Sequence, residues 1–421
     1  MDQFEIVGGS RLRGSVQISG AKNAALPIMA ATILTDGETI LRNVPDLADV
    51  RHMEVLLPKL GVAVFRDESG AMHLRVEDES NYHAEYELVS KMRASICVMG
   101  PLLAKRKQAQ VAMPGGCAIG DRPINLHIEA LEALGAEFDL VNGDVCLRAK
   151  KLAGRDLFLG GPFGSSVTAT GNVMMAACLA EGQTVIECAA CEPEIVDLAK
   201  FLNGCGAQIR GYGTPHMIID GVESLHGTEH EILPDRIEAG TFMIAAAITN
   251  GDLNLIDARI EHLLAVVDRL RRVGVNIERT ETGVNVTSAR RLEPVEITTQ
   301  PYPGFPTDLQ AQTMALLTLA DGNSTITEKV FPDRYLHVGE LSRMGARLRK
   351  EGPTVTIQGV KRLVGAPVMA SDLRASAALI LAALVAKGKT RVDRVYHIDR
   401  GYERIEEKLT AVGAEIRRVR P

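Results

Sequence analysis

A single cysteine lies in a glycine-rich segment that ends in an arginine. The segment covers residues 114–123 and contains three glycines around Cys117. Glycine lets the backbone bend sharply or approach a ligand closely. Arg122 is followed by Pro123, which suits the first turn of a helix, and a helix N-terminus binds anions. Positive charge lowers the pKa of a nearby thiol, so the segment predicts a reactive Cys117 beside an anion site.

Basic side chains at the starts of apolar segments are further candidates for anion binding. Lys22 and Asn23 follow a Ser-Gly-Ala turn, where a lysine can act as a point charge for phosphate or carboxylate. Arg93 and Arg374 occupy matching positions in two Arg-Ala-Ser triplets, each of which opens a very apolar helical run. The alternative for each is a solvated arginine in the first turn of a helix. The recurrence of the triplet favours a charged cleft.

A carboxylate that could act as a base ends the rigid Tyr-Pro-Gly-Phe-Pro-Thr-Asp segment. Asp308 comes shortly before an apolar run, so it could cap that helix or serve as a general base. The local pattern leaves both open. Arg400, beside Gly401, could approach a ligand, and Asp333-Arg334-Tyr335 has a similar form earlier in the chain.

Composition and motif searches exclude several other classes of function. The net charge of -6 and the absence of Trp give no support to nucleic-acid binding. There is no Walker A motif, no GxGxxG that opens a helix after a strand, no HExxH and no nucleophile elbow. Cys188 and Cys191 form a lone CxxC without a second pair, which does not indicate zinc. No apolar run reaches the length of a membrane span and no signal peptide is evident, so we expect reduced thiols in a cytoplasm.

The elements that would position these groups recur along the chain. A helical run that ends at a glycine and precedes a short strand occurs repeatedly, about 70 residues apart, which is too long for a solenoid. The six closing glycines are Gly61, Gly135, Gly206, Gly274, Gly345 and Gly413. Each fits the position after a helix where a left-handed residue ends the last turn. The pattern predicts an α/β protein of six similar modules in a closed or two-lobed architecture.

Motifs along the whole chain resemble those of the UDP-N-acetylglucosamine 1-carboxyvinyltransferases, which are enolpyruvyl transferases. The motifs are Ser19-Gly20-Ala21-Lys22-Asn23, Met92-Arg93-Ala94-Ser95, Pro114-Gly115-Gly116-Cys117, Arg122-Pro123, Phe305-Pro306-Thr307-Asp308, Asp372-Leu373-Arg374-Ala375-Ser376 and His397-Ile398-Asp399-Arg400-Gly401. The resemblance implies a two-lobed, inside-out α/β barrel of six βαβαββ units. It implies a first lobe of residues 22–232, with three units and the cysteine loop, and a second lobe of residues 1–21 and 233–421. It also implies that substrate closes the lobes and that the Cys117 loop folds over the cleft.

The resemblance further implies a reaction. Enolpyruvate passes from phosphoenolpyruvate to the 3′-hydroxyl of UDP-N-acetylglucosamine and phosphate is released, as the first committed step of peptidoglycan biosynthesis. By resemblance, Cys117 is the acid that protonates phosphoenolpyruvate, and it can also carry a covalent phospholactoyl adduct. Asp308 is the base. Phosphoenolpyruvate would be bound by Lys22, Asn23, Arg122, Arg374 and Arg400, with Lys22 and Arg400 also catalytic. No metal and no cofactor are implied.

The resemblance also assigns a binding surface to the nucleotide sugar. Its residues are Asn23, Arg93, Arg122, Pro123, Ile124, Asn125, Leu126, Ser166, Val167, Thr168, Asp308 and Val330. The sequence departs from the family pattern in this region. Thr168 stands where the family often has glycine, Gly164 where it often has a basic residue, and Asn125 where Asp is common. These differences bear on how the diphosphate is bound.

Two alternative functions remain open on the sequence. One is the sister enzyme that uses 3-phosphoshikimate as acceptor, but that enzyme lacks the Pro-Gly-Gly-Cys loop around Cys117. The other is a catalytically silent paralogue that binds a UDP-sugar, which the presence of every implied catalytic residue disfavours. We expect small-molecule substrates in the cytoplasm, no nucleic-acid or membrane partner, and susceptibility of Cys117 to fosfomycin. The oligomeric state is left open.

Overall fold

The computed structural model describes residues 2–113, 124–288 and 291–420. The chain divides into two units, each with its own hydrophobic core. The first unit comprises residues 20–113 and 124–233, and the second comprises residues 2–19, 234–288 and 291–420. Both ends of the chain belong to the second unit, because strand Gln3–Val7 pairs with Lys389–Asp393 on one side and Glu415–Val419 on the other.

In the described residues, six four-stranded sheets share one strand arrangement. The first two strands of each sheet are parallel and the other neighbours are antiparallel. The first unit contains, in spatial order, Glu229–Glu231, Glu38–Arg42, Met72–Val76, Val62–Arg66; then His83–Ala84, Gln108–Ala112, Asp144–Arg148, Glu137–Val141; then Asp156–Phe158, Gln183–Glu187, His216–Asp220, Gln208–Arg210. The second unit contains Pro367–Met369, Lys389–Asp393, Gln3–Val7, Glu415–Val419; then Arg13–Gln17, Asp252–Ile256, Gly283–Thr287, Asn276–Arg279; then Glu296–Thr298, Asn323–Thr327, Thr354–Gln358, Arg347–Glu351. Two short ribbons, Gly160–Gly161 with Gly164–Ser165 and Thr35–Asp36 with Leu225–His226, lie in the first unit.

The α-helices fall between these strands. Those of the first unit are α1 (Lys22–Ala31), α2 (Ala48–Lys59), α3 (Tyr86–Val89), α4 (Met99–Arg106), α5 (Asn125–Ala133), α6 (Val167–Ala177) and α7 (Pro193–Gly204). Those of the second unit are α8 (Arg236–Ile248), α9 (Leu264–Val273), α10 (Gln310–Leu317), α11 (His337–Arg343), α12 (Leu373–Val385) and α13 (Ile405–Ala411). Short 3₁₀ helices cover Thr32–Leu34, Arg93–Val98, Ile260–His262, Thr307–Leu309 and Val395–Arg400.

Some of these helices are buried on nearly every side and form the centre of each unit. In the second unit they are α8, α10 and α12, which pack against one another. In the first unit α4 packs against α6, and the 3₁₀ helix Arg93–Val98 packs against α1 and α6. A helix that is apolar all round has no face for solvent and must be buried. The starts of these central helices carry most of the candidate site residues.

Six helices are followed by the glycines that the sequence predicts to end them. Helices α2, α5, α7, α9, α11 and α13 are followed by Gly61, Gly135, Gly206, Gly274, Gly345 and Gly413, with φ between 75° and 108°. The predicted left-handed positions are therefore confirmed at all six sites. A β-carbon disfavours this backbone conformation, which is why glycine ends these helices.

The segment from Arg93 differs from the prediction of one apolar α-helix. Residues Arg93–Val98 form a 3₁₀ helix, and α4 begins only at Met99. Pro101 thereby falls in the first turn of α4, where a missing N–H group costs no helical hydrogen bond. In the described ranges, no helix is long and apolar enough to span a membrane.

Candidate active site

Lys22 begins α1 and is almost fully buried. Its Nζ lies 2.9 Å from Oδ2 of Asp49, which is in the first turn of α2. A buried ammonium group requires such a compensating charge. Gly20 allows the backbone before α1 to pass close to Asn43, because an added Cβ would lie 1.7 Å from the carbonyl oxygen of Asn43. Asn23, the next residue of α1, is exposed.

The starts of α5 and α6 lie side by side in the first unit. The imidazole Nε2 of His127 is 3.1 Å from the hydroxyl of Thr168. A Cβ on Gly161, in the ribbon that precedes α6, would lie 3.2 Å from Cδ1 of Leu126. The structure therefore brings together residues 124–126 and 166–168, which the sequence predicts to bind the nucleotide sugar.

Several residues at these two helix starts are exposed. Asn125 is exposed and donates a hydrogen bond to Glu129, 3.3 Å away, whereas Ile124 is buried and Leu126 half-buried. Ser166 caps α6, since its hydroxyl accepts a hydrogen bond from the amide of Ala169 at 3.3 Å. Val167 and Thr168 are exposed in the first turn of α6, whose amides are the ones an α-helix does not use itself.

The positive charge of Arg93 acts on His127. Arg93 is half-buried at the start of its 3₁₀ helix. Burial, together with the charge of Arg93, lowers the pKa of His127 to about 3. The imidazole is therefore neutral at neutral pH. Cys117, Arg122 and Pro123 lie outside the described residues.

Two arginines bind the carboxylate of Asp308 in the second unit. Nη1 of Arg334 is 2.7 Å from one carboxylate oxygen, and Nη2 of Arg374 is 3.1 Å from the other. Asp308 lies in the 3₁₀ helix Thr307–Leu309, and α10 is capped at Leu309 without a side-chain hydrogen bond. The interpretation of Asp308 as a helix cap is therefore wrong, and its carboxylate orients charged groups instead.

Arg374 is a buried cation with unused hydrogen-bonding capacity. Its side chain is only 2% exposed, and its guanidinium carbon lies 5.3 Å from the centre of the Tyr402 ring. Its Nε and Nη1 have no hydrogen-bond partner in the described part of the chain. The interpretation of Arg374 as a solvated first-turn arginine is therefore wrong. Asp372 caps α12, accepting from the amides of Arg374 and Ala375 at 2.8 and 3.1 Å.

Buried N–H groups without partners are costly, and an anion is the ligand that would satisfy a guanidinium. Burial opposes the charged form of Arg374, but Tyr402 and Asp308 raise its pKa above the ordinary value. Tyr402 is itself fixed, because its hydroxyl is 2.9 Å from the hydroxyl of Thr241 and accepts from Gln312 at 3.1 Å. The arginine is thus a permanent, rigidly supported cation.

A buried glutamate positions the loop that carries Val330. Glu328 is fully buried and accepts hydrogen bonds from the amides of Val330 and Phe331 at 2.8 and 2.9 Å. It also accepts from the hydroxyls of Thr299 and Thr307 at 2.6 and 2.9 Å. Since Thr307 precedes Asp308, one carboxylate holds the Val330 loop against the segment of the predicted base.

Arg400 ends the 3₁₀ helix Val395–Arg400 and is half-buried. Burial, followed by the charge of Arg400, lowers the pKa of His397. The preceding residue, Asp399, forms an ion pair with Arg418. Arg400 is thus on a segment anchored to the last strand of the chain.

Known proteins resemble this chain over its full length. The family model described as EPSP synthase (3-phosphoshikimate 1-carboxyvinyltransferase) matches residues 6–409. A protein of Methylacidiphilum infernorum named UDP-N-acetylglucosamine 1-carboxyvinyltransferase is 52% identical over 419 residues, which cover 100% of this chain and 99% of the relative. A protein of the same name from Gluconacetobacter diazotrophicus is 53% identical, with 100% of both chains covered.

The chain belongs to the UDP-N-acetylglucosamine 1-carboxyvinyltransferase family. The predicted membership is confirmed, and with it the assignment of the chain as a transferase.

Solved structures extend the comparison to the fold of this carboxyvinyltransferase family. The enolpyruvyl transferase NikO from Streptomyces tendae has a TM-score of 0.90 at 24% identity, covering 100% of this chain and 99% of NikO. EPSP synthase from Acinetobacter baumannii has a TM-score of 0.79 at 17% identity, covering 100% of both chains. At these identities the likeness concerns the fold alone, and it confirms the predicted α/β class.

The sequence alone assigned no functional role to four residues of this carboxyvinyltransferase family member: His127, Glu328, Arg334 and Tyr402. For Arg334 a signal existed, because Asp333-Arg334-Tyr335 resembles the segment around Arg400. Glu328 follows the alternating strand Asn323–Thr327, and nothing in the local sequence distinguishes it from a solvated strand end. His127 lies on the apolar side of α5, where a buried histidine is indistinguishable from a core residue until its partners are known.

Proposed function

We propose that this protein transfers the enolpyruvyl group of phosphoenolpyruvate to the 3′-hydroxyl of UDP-N-acetylglucosamine and releases phosphate, the first committed step of peptidoglycan biosynthesis. The observation that carries the proposal is similarity over the full chain, at 52% and 53% identity, to proteins named for this reaction. The pairing of Asp308 with Arg374 also supports the proposal. A carboxylate beside a buried arginine with unused N–H groups suits a reaction between a hydroxyl and a phosphorylated acid.

The reaction requires an acid and a base. In the addition step a proton joins the methylene carbon of phosphoenolpyruvate, and the sugar oxygen bonds to its second carbon while the hydroxyl proton leaves. In the elimination step the same methyl carbon loses a proton and the bond to the phosphate oxygen breaks, which restores the vinyl group. We assign the acid role to Cys117 and the acceptance of the hydroxyl proton to Asp308. Cys117 can also bond to the second carbon and form the phospholactoyl adduct.

Cations must hold the phosphate and the carboxylate of phosphoenolpyruvate. We assign this role to Lys22, Arg122, Arg374 and Arg400, with Asn23 as a polar contact. Arg374 has the clearest structural support, because its free N–H groups can pair with an oxyanion in the planar geometry that guanidinium favours. Lys22 has a buried counter-charge in Asp49, which keeps its position defined before an anion binds.

The nucleotide sugar needs a longer surface. We assign it to Asn23, Arg93, residues 122–126, residues 166–168, Asp308 and Val330. The adjacent starts of α5 and α6 support the assignment within the first unit, and the Glu328-bound loop supports it in the second. We further propose that the protein acts in the cytoplasm on these small molecules, without a nucleic-acid or membrane partner.

The choice of acceptor is the test of the proposal. The purified protein is incubated with phosphoenolpyruvate and either UDP-N-acetylglucosamine or 3-phosphoshikimate, the acceptor named in the description of the matching family model. Phosphate release is measured in both. We expect release with the nucleotide sugar and none above background with 3-phosphoshikimate. If phosphate is released with 3-phosphoshikimate but not with the nucleotide sugar, the proposed acceptor is wrong. If phosphate is released with neither acceptor, the proposed transferase reaction is refuted.

A further inference from the structure

Three side chains in the first unit form a continuous hydrogen-bonded chain that ends at the surface. Asn172, inside α6, accepts from the amide of Gly100 through Oδ1 at 2.8 Å and donates to the carbonyl of Ile96 through Nδ2 at 3.0 Å. These two backbone groups fix which end of the amide is which. The NH₂ group is therefore the end that lies 3.0 Å from Nδ1 of His127.

The fixed amide determines the tautomer of the imidazole. Since Asn172 donates, Nδ1 of His127 must accept and carries no hydrogen. The hydrogen of the neutral ring is then on Nε2, which lies 3.1 Å from the hydroxyl oxygen of Thr168 and donates to it. Burial and the charge of Arg93 keep the ring neutral, with its pKa lowered to about 3, so Nε2 remains a donor and Nδ1 an acceptor.

The donation from His127 constrains what the hydroxyl of Thr168 can do. The oxygen accepts from Nε2, so the hydroxyl hydrogen must be donated elsewhere. A threonine inside a helix commonly donates to the carbonyl four residues before it. Thr168 is the second residue of α6, however, and Gly164 lies outside the helix in the preceding ribbon. Thr168 is also exposed, so its hydrogen is available to a ligand at the start of α6.

We infer that Thr168 is a specificity-determining hydrogen-bond donor to the diphosphate of the nucleotide sugar, with His127 and Asn172 as its positioning residues. The inference rests on the proposed function. A phosphate oxygen is a charged acceptor, and hydrogen bonds to charged acceptors are the stronger ones. Because the hydroxyl already accepts from His127, donation onward is reinforced along the chain. The diphosphate is thus bound by a neutral donor of fixed direction in addition to the charge of Arg93.

The test compares ligands that differ in the diphosphate alone. Binding of UDP and of uridine is measured by calorimetry for the wild type, Thr168→Val and Thr168→Ser. Valine keeps the shape but removes the hydroxyl, whereas serine keeps the hydroxyl. We expect Thr168→Val to weaken UDP binding roughly 10- to 100-fold, as for loss of a hydrogen bond to a charged group, and to leave uridine binding unchanged. Thr168→Ser keeps the hydroxyl and should bind UDP with an affinity within about threefold of that of the wild type.

The role of His127 is tested through coupling to Thr168. His127→Gln should weaken UDP binding when Thr168 is present and have no further effect in the Thr168→Val background, because the two residues act through one hydroxyl. In steady-state turnover, Thr168→Val should raise KM for UDP-N-acetylglucosamine and leave KM for phosphoenolpyruvate and kcat within about twofold. A merely structural role of Thr168 would disturb all three parameters together.

Two outcomes would overturn the inference. If the wild type turns over UDP-N-acetylglucosamine but Thr168→Val binds UDP as tightly as the wild type, the proposed function stands and the donor role of Thr168 fails. If Thr168→Val weakens the binding of UDP and of uridine equally, Thr168 does not contact the diphosphate and the inference likewise fails. If the wild type itself fails to turn over the nucleotide sugar, the proposed function and this inference fail together.

Discussion

Asp308 is held on both carboxylate oxygens by guanidinium groups, so its position is set before any substrate arrives. This suits a group that must meet one particular hydroxyl, because a misplaced base loses much of its effect. The arrangement also makes the three side chains depend on one another's charges. Removing one partner of a buried ion pair leaves the other charge without compensation. Asp308 is therefore expected to contribute to both catalysis and the order of Arg334 and Arg374.

Replacement of Asp308 tests its role as the base. Asp308→Asn keeps the shape of the side chain but removes the charge that accepts the proton. We expect kcat to fall about 10²- to 10⁴-fold, the usual contribution of a general base. Asp333→Asn, at an exposed aspartate in the nearby loop, is the matched control and should leave kcat unchanged. A kcat for Asp308→Asn within about fivefold of the wild type, with folding verified by thermal unfolding, would assign the base elsewhere.

Cys117 should be the thiol that reacts with fosfomycin, the epoxide that mimics phosphoenolpyruvate. Burial raises the pKa of the Cys97, Cys178 and Cys205 thiols to about 12, so these are poor nucleophiles. Mass spectrometry after incubation with fosfomycin and UDP-N-acetylglucosamine should show one adduct, on the peptide that contains Cys117. Cys117→Ser should lose the adduct and most activity at neutral pH, since a hydroxyl is a much weaker acid. An adduct on another cysteine would contradict the assignment.

Helix ends show how elements are fixed by single residues. Gly345 follows α11 with φ of 90°, and its added Cβ would meet nothing closer than 3.8 Å, so the cost of alanine there is conformational. We expect Gly345→Ala to lower the free energy of unfolding by about 1–2 kcal/mol. Gly339, within α11, has open space around its added Cβ and is the matched control. Gly339→Ala should raise the free energy by up to about 1 kcal/mol.

Urea unfolding of both variants measures these changes. Equal effects of the two substitutions would show that the left-handed conformation at Gly345 does not limit which residue can end α11.

The sequence predicts those features that depend on local chemistry. The left-handed glycines and the burial of the apolar helical runs follow from neighbouring residues. Partners far apart in sequence could not be predicted in this way. The bonds from Glu328 to Thr299, from Arg334 to Asp308 and from His127 to Thr168 arise only when separate elements pack together. The roles predicted for Lys22 and Arg374 rested on the local pattern and on the family resemblance, whereas their burial required the structure.

The stability of the whole protein toward acid should depend on its buried neutral histidines. The pKa of His127 is about 3 in the folded protein and about 6.5 when unfolded. Between these values only the unfolded state takes up the proton, so the free energy of unfolding decreases as pH falls below about 6.5, by up to about 1.4 kcal/mol per pH unit. His127→Gln should reduce this slope in urea unfolding at pH 7 and pH 5. An unchanged slope would show that His127 does not make this contribution.

The similarity to known transferases extends over the full length of the chain. The most direct test of the proposed reaction is the structure of its product. The protein is incubated with phosphoenolpyruvate and UDP-N-acetylglucosamine, and the product is analysed by NMR. We predict two vinyl protons and a new ether linkage at the 3′-oxygen of the sugar. Linkage at another hydroxyl, or recovery of both substrates unchanged, would contradict the account.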